Sequence, residues 1–334
     1  MEKFITMAHG SGGRTTGELI SEIFAEEFNN EILDKMEDAA AVDGRNRIAM
    51  TTDSFVVTPV EYPGGDIGRL CICGTVNDLL SRGATPKYIT CGFILEEGLS
   101  TDVLRRVVHS MAETAKEANV TIVAGDTKVI EGNGGLYVNT AGVGFFENGK
   151  EVSAFDSKPG DAILVSGNMG DHHATILGCR MSIENTIESD NAPLNDIVES
   201  LLKSDVDVHV LRDITRGGLA TVLKELAKTS GNTFVVEDEL IPVSSQVRDF
   251  CGLLGLDPYY MGNEGKIVCI VKKEDAKKAL DIMKASKYGK DAAIVGYVNA
   301  PEKESEAGML YSKTSIGGLR SLDILQGEGL PRIC

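Results

Sequence analysis

The apolar positions of this chain follow two periods, and the switches between them mark its elements. Residues 66–82 carry apolar side chains on most sides of a period of about 3.6 and predict a buried helix. Residues 38–57 and 87–95 alternate or are rich in β-branched side chains and predict strands. An amphipathic helix is expected to begin near Ser100, then a buried strand at 120–130 that runs into a loop, and a strand at 135–147. The opening glycine-rich run, HGSGGRTTGELI, puts Thr15 and Glu18 at capping-box spacing before a helix through about Phe28. From residue 158 the pattern restarts with strand, glycine turn and helix, then a helix at about 194–203, the stretch 208–227 and a strand at 233–243. Strand, helix and strand follow between Lys266 and Val298. Strands and helices mix without a regular βαβ rhythm, which predicts an α+β fold rather than a doubly wound sheet.

At 334 residues the chain exceeds what one core usually organises. Two domains are expected, 1–153 and 154–311, followed by a mobile tail at 312–334 that Gly317, Gly318, Gly327, Gly329 and Pro331 keep from forming a helix. At about 3.3 Å per extended residue, such a tail could carry its last residue away from the body and back. No stretch approaches the roughly 18 apolar residues of a membrane span, and the first twenty residues lack a signal peptide's apolar region. A cytoplasmic protein without membrane contact is expected. The net charge of −17 disfavours a nucleic-acid partner and leaves two sources for the acidity: solubility, or carboxylates gathered around divalent cations.

Seven cysteines without CxxC spacing argue against a disulfide framework and a structural zinc site. Six read as small core hydrophobes, whereas Cys334, at the chain end, reads as an exposed reactive thiol. His9, His172, His173 and His209 have no metal-ligand spacing and read as core or surface histidines.

Position separates some acidic residues from the rest. Ile67, Leu70, Cys71, Gly74 and Asp78 share one helical stripe, so a carboxylate falls where an apolar residue belongs and needs a cation or strong donors. Asp53 follows two threonines in a strand, Asp126 sits in the turn AGDTK, and Asp213 precedes a helix start. Each alone also reads as a turn residue or helix cap. Together they form the oxygen-rich set that Mg²⁺ bridging phosphates would use.

The segments EDAAAV at 37–42, TTDSF at 51–55, GTVNDLLSRGATP at 74–86, AGDT at 124–127 and DITRGGL at 213–219 resemble the ATP-binding PurM-like superfamily. Within it, the opening HGSGGR, MGNEGK at 261–266 and the ending PRIC are similar to the carbamoyl dehydratases of hydrogenase maturation, the HypE family. The resemblance implies an N-terminal mixed domain whose strands form a β-barrel in a homodimer, and a C-terminal α-β sandwich. It implies Mg²⁺ held by Asp38, Asp53, Asp78 and Asp213, and ATP contacted by Asp53, Asn77, Gly125, Asp126 and Thr127 with Gly12 and Arg14. It further implies ATP-dependent dehydration of an S-carbamoyl group on Cys334 to a thiocyanate, which supplies the cyanide ligand for the iron of nickel–iron hydrogenases. In that chemistry Lys128 would neutralise phosphate and Glu264 would take a proton, although the two also read as a surface lysine and a loop residue. The implied partners are the carbamoyltransferase HypF and an iron scaffold of HypC and HypD. A phosphoryl transferase acting on a free small molecule is the alternative.

Overall fold

The computed structural model describes residues 3–11, 14–35, 39–147, 149–325 and 333–334. The first half runs α1 (Arg14–Leu19), continued by a π-helical turn at Ile20–Ala25, then β1 (Ile48–Phe55), a short hairpin of β2 (Glu61–Tyr62) and β3 (Gly65–Asp66), and α2 (Ile67–Ser81). It continues with β4 (Thr85–Glu96), α3 (Thr101–Glu117), β5 (Thr121–Ile130) and β6 (Leu136–Phe145). The second half holds β7 (Ala162–Val165), α4 (Asp171–Met181), α5 (Asn195–Lys203), β8 (Val208–Asp213), α6 (Gly218–Ser230) and β9 (Thr233–Glu237). After these come α7 (Ser245–Leu254), β10 (Ile267–Val271), α8 (Ala276–Ala285), β11 (Ala293–Asn299), β12 (Leu310–Lys313) and β13 (Leu319–Leu322).

The N-terminal sheet has the order β1-β6-β4-β5, antiparallel except for the β4–β5 pair. Alternation along β1 decides its faces: Thr51, Asp53 and Phe55 turn toward α2, while Ile48 and Met50 stay exposed on the other side. Ile94 of β4 and Ile130 of β5 are exposed as well, so the side away from α2 is open and carries several apolar side chains. α2 is buried nearly all round, because α3, this sheet and the second half all pack on it.

The C-terminal sheet has the order β13-β12-β9-β11-β7-β10-β8, with β9–β12 the parallel pair. Its central strands are covered on both faces: Ile163, Val165, Val268 and Ile270 pack toward α6, and Leu164, Leu211 and Cys269 toward α5 and α8. That second layer joins the N-terminal core without a break. The α+β fold expected from the chain is the one that forms; three local expectations differ. Residues 39–47 form no strand, since their small and polar side chains offer no face to bury. Thr15 and Glu18 lie inside α1 rather than at its cap. Strands β12 and β13 hold 310–313 and 319–322 to the sheet, so ordered structure enters the segment read as tail.

No helix among the described residues is long and apolar enough to cross a membrane.

Candidate active site

α2 and β1 bring two carboxylates together. A Cβ on Gly74 would lie 2.9 Å from the ring of Phe55, so the glycine permits a close approach that a larger residue would block. Asp53 of β1 and Asp78 of α2 thereby come within electrostatic reach, and burial first, with Asp78 also contributing, raises the pKa of Asp53. Asp78 accepts a hydrogen bond from Thr51 Oγ1 at 2.7 Å, and burial raises its pKa too.

Asp213 arrives from the other half. It ends β8, is buried, and its backbone N–H donates to Ser81 Oγ of α2 at 3.1 Å. Gly217 and Gly218, both at positive φ, then turn the chain into α6, a conformation that residues with a side chain rarely adopt. Burial, then the neighbouring charge of Asp78, pushes Asp213 up to about 6.

The MGNEGK loop contributes the fourth carboxylate. Asn263 Oδ1 accepts from Gly170 N at 2.7 Å, and Asp190 Oδ1 accepts from the Glu264 N–H at 3.0 Å. Asp190 is held in turn by Lys266 Nζ at 3.0 Å. Fixed in this way, Glu264 is 4% exposed, and Oε1 has no hydrogen-bond partner. Burial, with the charges of Asp190, Asp213 and Asp53, pushes its pKa well up.

Cys334 lies against this cluster. Its thiol sits within electrostatic reach of the Glu264 carboxylate, and burial above all raises its pKa. The free, exposed thiol expected at a chain end is therefore half-buried in the structure, because Ile333 is sunk in the core and draws the last residue down with it. Arg216, exposed beside the cluster, is the cation whose charge opposes the shifts of Asp53, Glu264 and Cys334.

Four buried or half-buried carboxylates from four segments repel one another, and such a set is costly until a cation or protons join it. Among the described residues no three His, Cys, Asp or Glu side chains form a closed metal cage. An all-oxygen, open donor set fits Mg²⁺, which takes few protein ligands and completes its shell with phosphate oxygens and water. Asp38 and Gly12 lie outside the described residues.

Gly125, Asp126, Thr127 and Lys128 are elsewhere. They line a cleft of about 390 Å³ whose opposite wall carries Phe24 and Phe28. Asp126 sits within β5 rather than in a turn, exposed and paired with Lys128 at 2.7 Å. Cross-strand register puts Asp53, Thr140, Cys91 and Gly125 on one line, so Asp126 and Lys128, one and three residues on, point to the open face. Arg14 is exposed at the start of α1.

Models of the AIR synthase related protein family match both halves, the N-terminal domain at 36–146 and the C-terminal domain at 158–307. A carbamoyl dehydratase HypE of Rhodobacter capsulatus is 44% identical over 338 residues, covering 99% of this chain and 98% of that one. The chain belongs to the HypE family. A crystal structure of hydrogenase maturation protein HypE in complex with ATP superposes with a TM-score of 0.95 at 46% identity, covering 98% of this chain and 99% of that one. A HypE–HypF complex matches at 0.79 and 45% identity, covering 92% and 99%.

In this HypE-family chain some polar residues hold the site together. Asn77, expected at the nucleotide, is 2% exposed with both amide atoms engaged: Nδ2 donates to Ala192 O and Oδ1 accepts from Leu194 N, both at 3.0 Å. It joins the two halves. Asp190, Arg216 and Ser81 escaped the sequence reading because their roles rest on contacts between residues far apart in the chain. Only Arg216 left a trace, as a charge inside the glycine turn of DITRGGL.

Proposed function

We propose that the chain dehydrates an S-carbamoyl group on its own Cys334 to a thiocyanate at the expense of ATP, and thereby supplies the cyanide ligand for the iron of nickel–iron hydrogenases. The observation that carries this reading is a half-buried terminal thiol seated beside Glu264 in a cluster of carboxylates. A cysteine that merely packed would not need such neighbours.

In the proposed reaction the amide oxygen attacks the γ-phosphorus of ATP. A C–O–P linkage forms, the bond to the β-phosphate oxygen breaks, ADP leaves and one N–H proton is lost. The second N–H proton then departs, the C–O bond breaks with its electron pair on phosphate, and a nitrile remains on sulfur. Glu264 is the candidate base, since a carboxylate held above its ordinary range takes a proton more readily once ionised. Mg²⁺ would supply charge neutralisation on the phosphates, held by Asp53, Asp78 and Asp213 with Asp38. Arg216 faces the same charge. The cleft beside Gly125 and Thr127 suits the nucleotide base, its wall being apolar and aromatic. Lys128, on the open face with Met50 and Ile94, joins the site in the homodimer, where a second copy covers that face.

The tail would visit a carbamoylating enzyme such as HypF, return for dehydration, and then meet an iron scaffold of HypC and HypD, all in the cytoplasm. Phosphate release measured on carbamoylated chain with Mg·ATP tests the reading. One phosphate per carbamoyl group is expected; release that continues with no carbamoyl group present would favour the free-substrate phosphoryl transferase instead.

A further inference from the structure

The core contains a histidine that the proposed chemistry does not use. His172 of α4 is fully buried, and its ring meets the penultimate residue of the chain. Its Nε2 lies 2.7 Å from the carbonyl oxygen of Ile333, and its Nδ1 lies 2.7 Å from Ser189 Oγ. The partners fix the tautomer. A carbonyl only accepts, so Nε2 carries the proton and donates, and Nδ1 accepts from the Ser189 hydroxyl. Ser189 Oγ accepts in turn from the backbone N–H of Asn191 at 3.2 Å, which orients the hydroxyl toward the ring. The edge of Tyr62, 5.5 Å away and nearly perpendicular, closes the side, and its hydroxyl accepts from Asn191 Nδ2 at 2.7 Å. Burial lowers the pKa of His172, in keeping with a neutral ring.

A second contact bears on the same residue. Ile333 is 2% exposed, and a Cβ built on Gly262 would overlap its side chain. Gly262 lies in the MGNEGK loop only two residues before Glu264, so the seat of Ile333 and the carboxylate beside Cys334 belong to one loop.

We infer that His172 and Gly262 form a dock for the C-terminal tail, in which the imidazole N–H holds the Ile333 carbonyl and the glycine seats its side chain, setting Cys334 against Glu264. His172 is a positioning residue: it touches the penultimate residue, not the sulfur. The inference rests on the reading of Cys334 as the carrier, in that a dock matters only for a tail that comes and goes. It also gives the isoleucine of the PRIC ending a purpose, as an apolar anchor whose seat any larger residue at 262 would fill.

The test is the rate at which iodoacetamide alkylates Cys334 in the intact chain, read by mass spectrometry of the C-terminal peptide. His172→Phe, which keeps bulk but removes the donor, should speed alkylation about tenfold, the scale set by one buried hydrogen bond. His172→Gln, which restores a donor, should return most of the protection. Gly262→Ala should also expose the thiol. The buried Cys71, Cys91 and Cys269 report folding in the same digest and should stay protected. If they react in His172→Phe, that variant has unfolded, and Gly262→Ala and His172→Gln decide. Equal Cys334 alkylation in wild type and the folded variants would overturn the dock. A thiol exposed by His172→Phe in a chain whose carbamoylated form never loses water would sustain the dock and defeat the carrier reading.

Discussion

The Cys334 thiol lies beside the Glu264 carboxylate, and through this proximity a residue of the loop before β10 acts on the last side chain of the chain. Burial raises the thiol's pKa first, and the charge of Glu264 adds to it. Glu264→Gln removes that charge, so Cys334 should ionise at lower pH and alkylate faster at a given pH. Turnover should fall by about 10²-fold or more if Glu264 is the base. A variant with unaltered thiol titration would show that the two groups do not communicate.

Asp78 and Asp213 repel each other within a buried setting, and this makes an unusual double expectation. Asp78→Asn or Asp213→Asn should leave the melting temperature of the free protein unchanged or higher, while weakening Mg·ATP about tenfold or more, roughly 1.4 kcal/mol. Calorimetric titration and thermal melts check both halves. Lower stability with undiminished binding would mean that the pair serves packing instead.

The same pair sets a pH dependence. The folded pKa of Asp213, about 6, stands above the roughly 3.9 of an unfolded aspartate, so its contribution to stability is present below the lower value and is lost as pH rises through the upper one. In Asp213→Asn that part of the pH profile should flatten. Stabilisation by Mg·ATP should grow as pH passes about 6, because the cation needs the ionised form.

Glu117 of α3 behaves in the opposite sense. It accepts from Arg69 at 2.9 Å and Lys287 at 2.5 Å, and from the Tyr288 hydroxyl, and so ties α2 and α3 to the segment after α8. Despite some burial, these partners hold its pKa down to about 2. A depressed carboxylate stabilises above its unfolded pKa of about 4.3 and loses that contribution as pH falls toward 2. Glu117→Gln should therefore cost about 1 kcal/mol at neutral pH after solvent screening, and little in strong acid. Urea melts at several pH values would show it, and a pH-independent cost would assign the effect to packing.

What could be read in the sequence follows from how local each signal is. Asp78 announced itself because a carboxylate interrupting an apolar helical stripe is visible within one element, and the α2 stripe is real. The alternation of β1 and the periods of α3, α5 and α8 were equally local, and those elements appear where expected. Asp126 was misjudged as a turn residue because glycine and aspartate together imitate turn chemistry, whereas pairing with β4 holds them in a strand. His172 gave no signal at all. Its partner Ile333 is 161 residues away, and nothing in a histidine's neighbours tells what the chain end will bring to it.

The central claim, that Cys334 carries the group transformed, is tested most directly by mass spectrometry of the C-terminal peptide from carbamoylated chain before and after Mg·ATP. The account predicts that the peptide loses the mass of one water on Cys334, with ATP consumed. Cys334→Ala should fold and bind nucleotide but take up no carbamoyl group, because a terminal residue contributes little to the fold. Cyanide delivery to the iron acceptor by the Cys334→Ala chain, or a carbamoylated peptide unchanged in mass after ATP turnover, would contradict it.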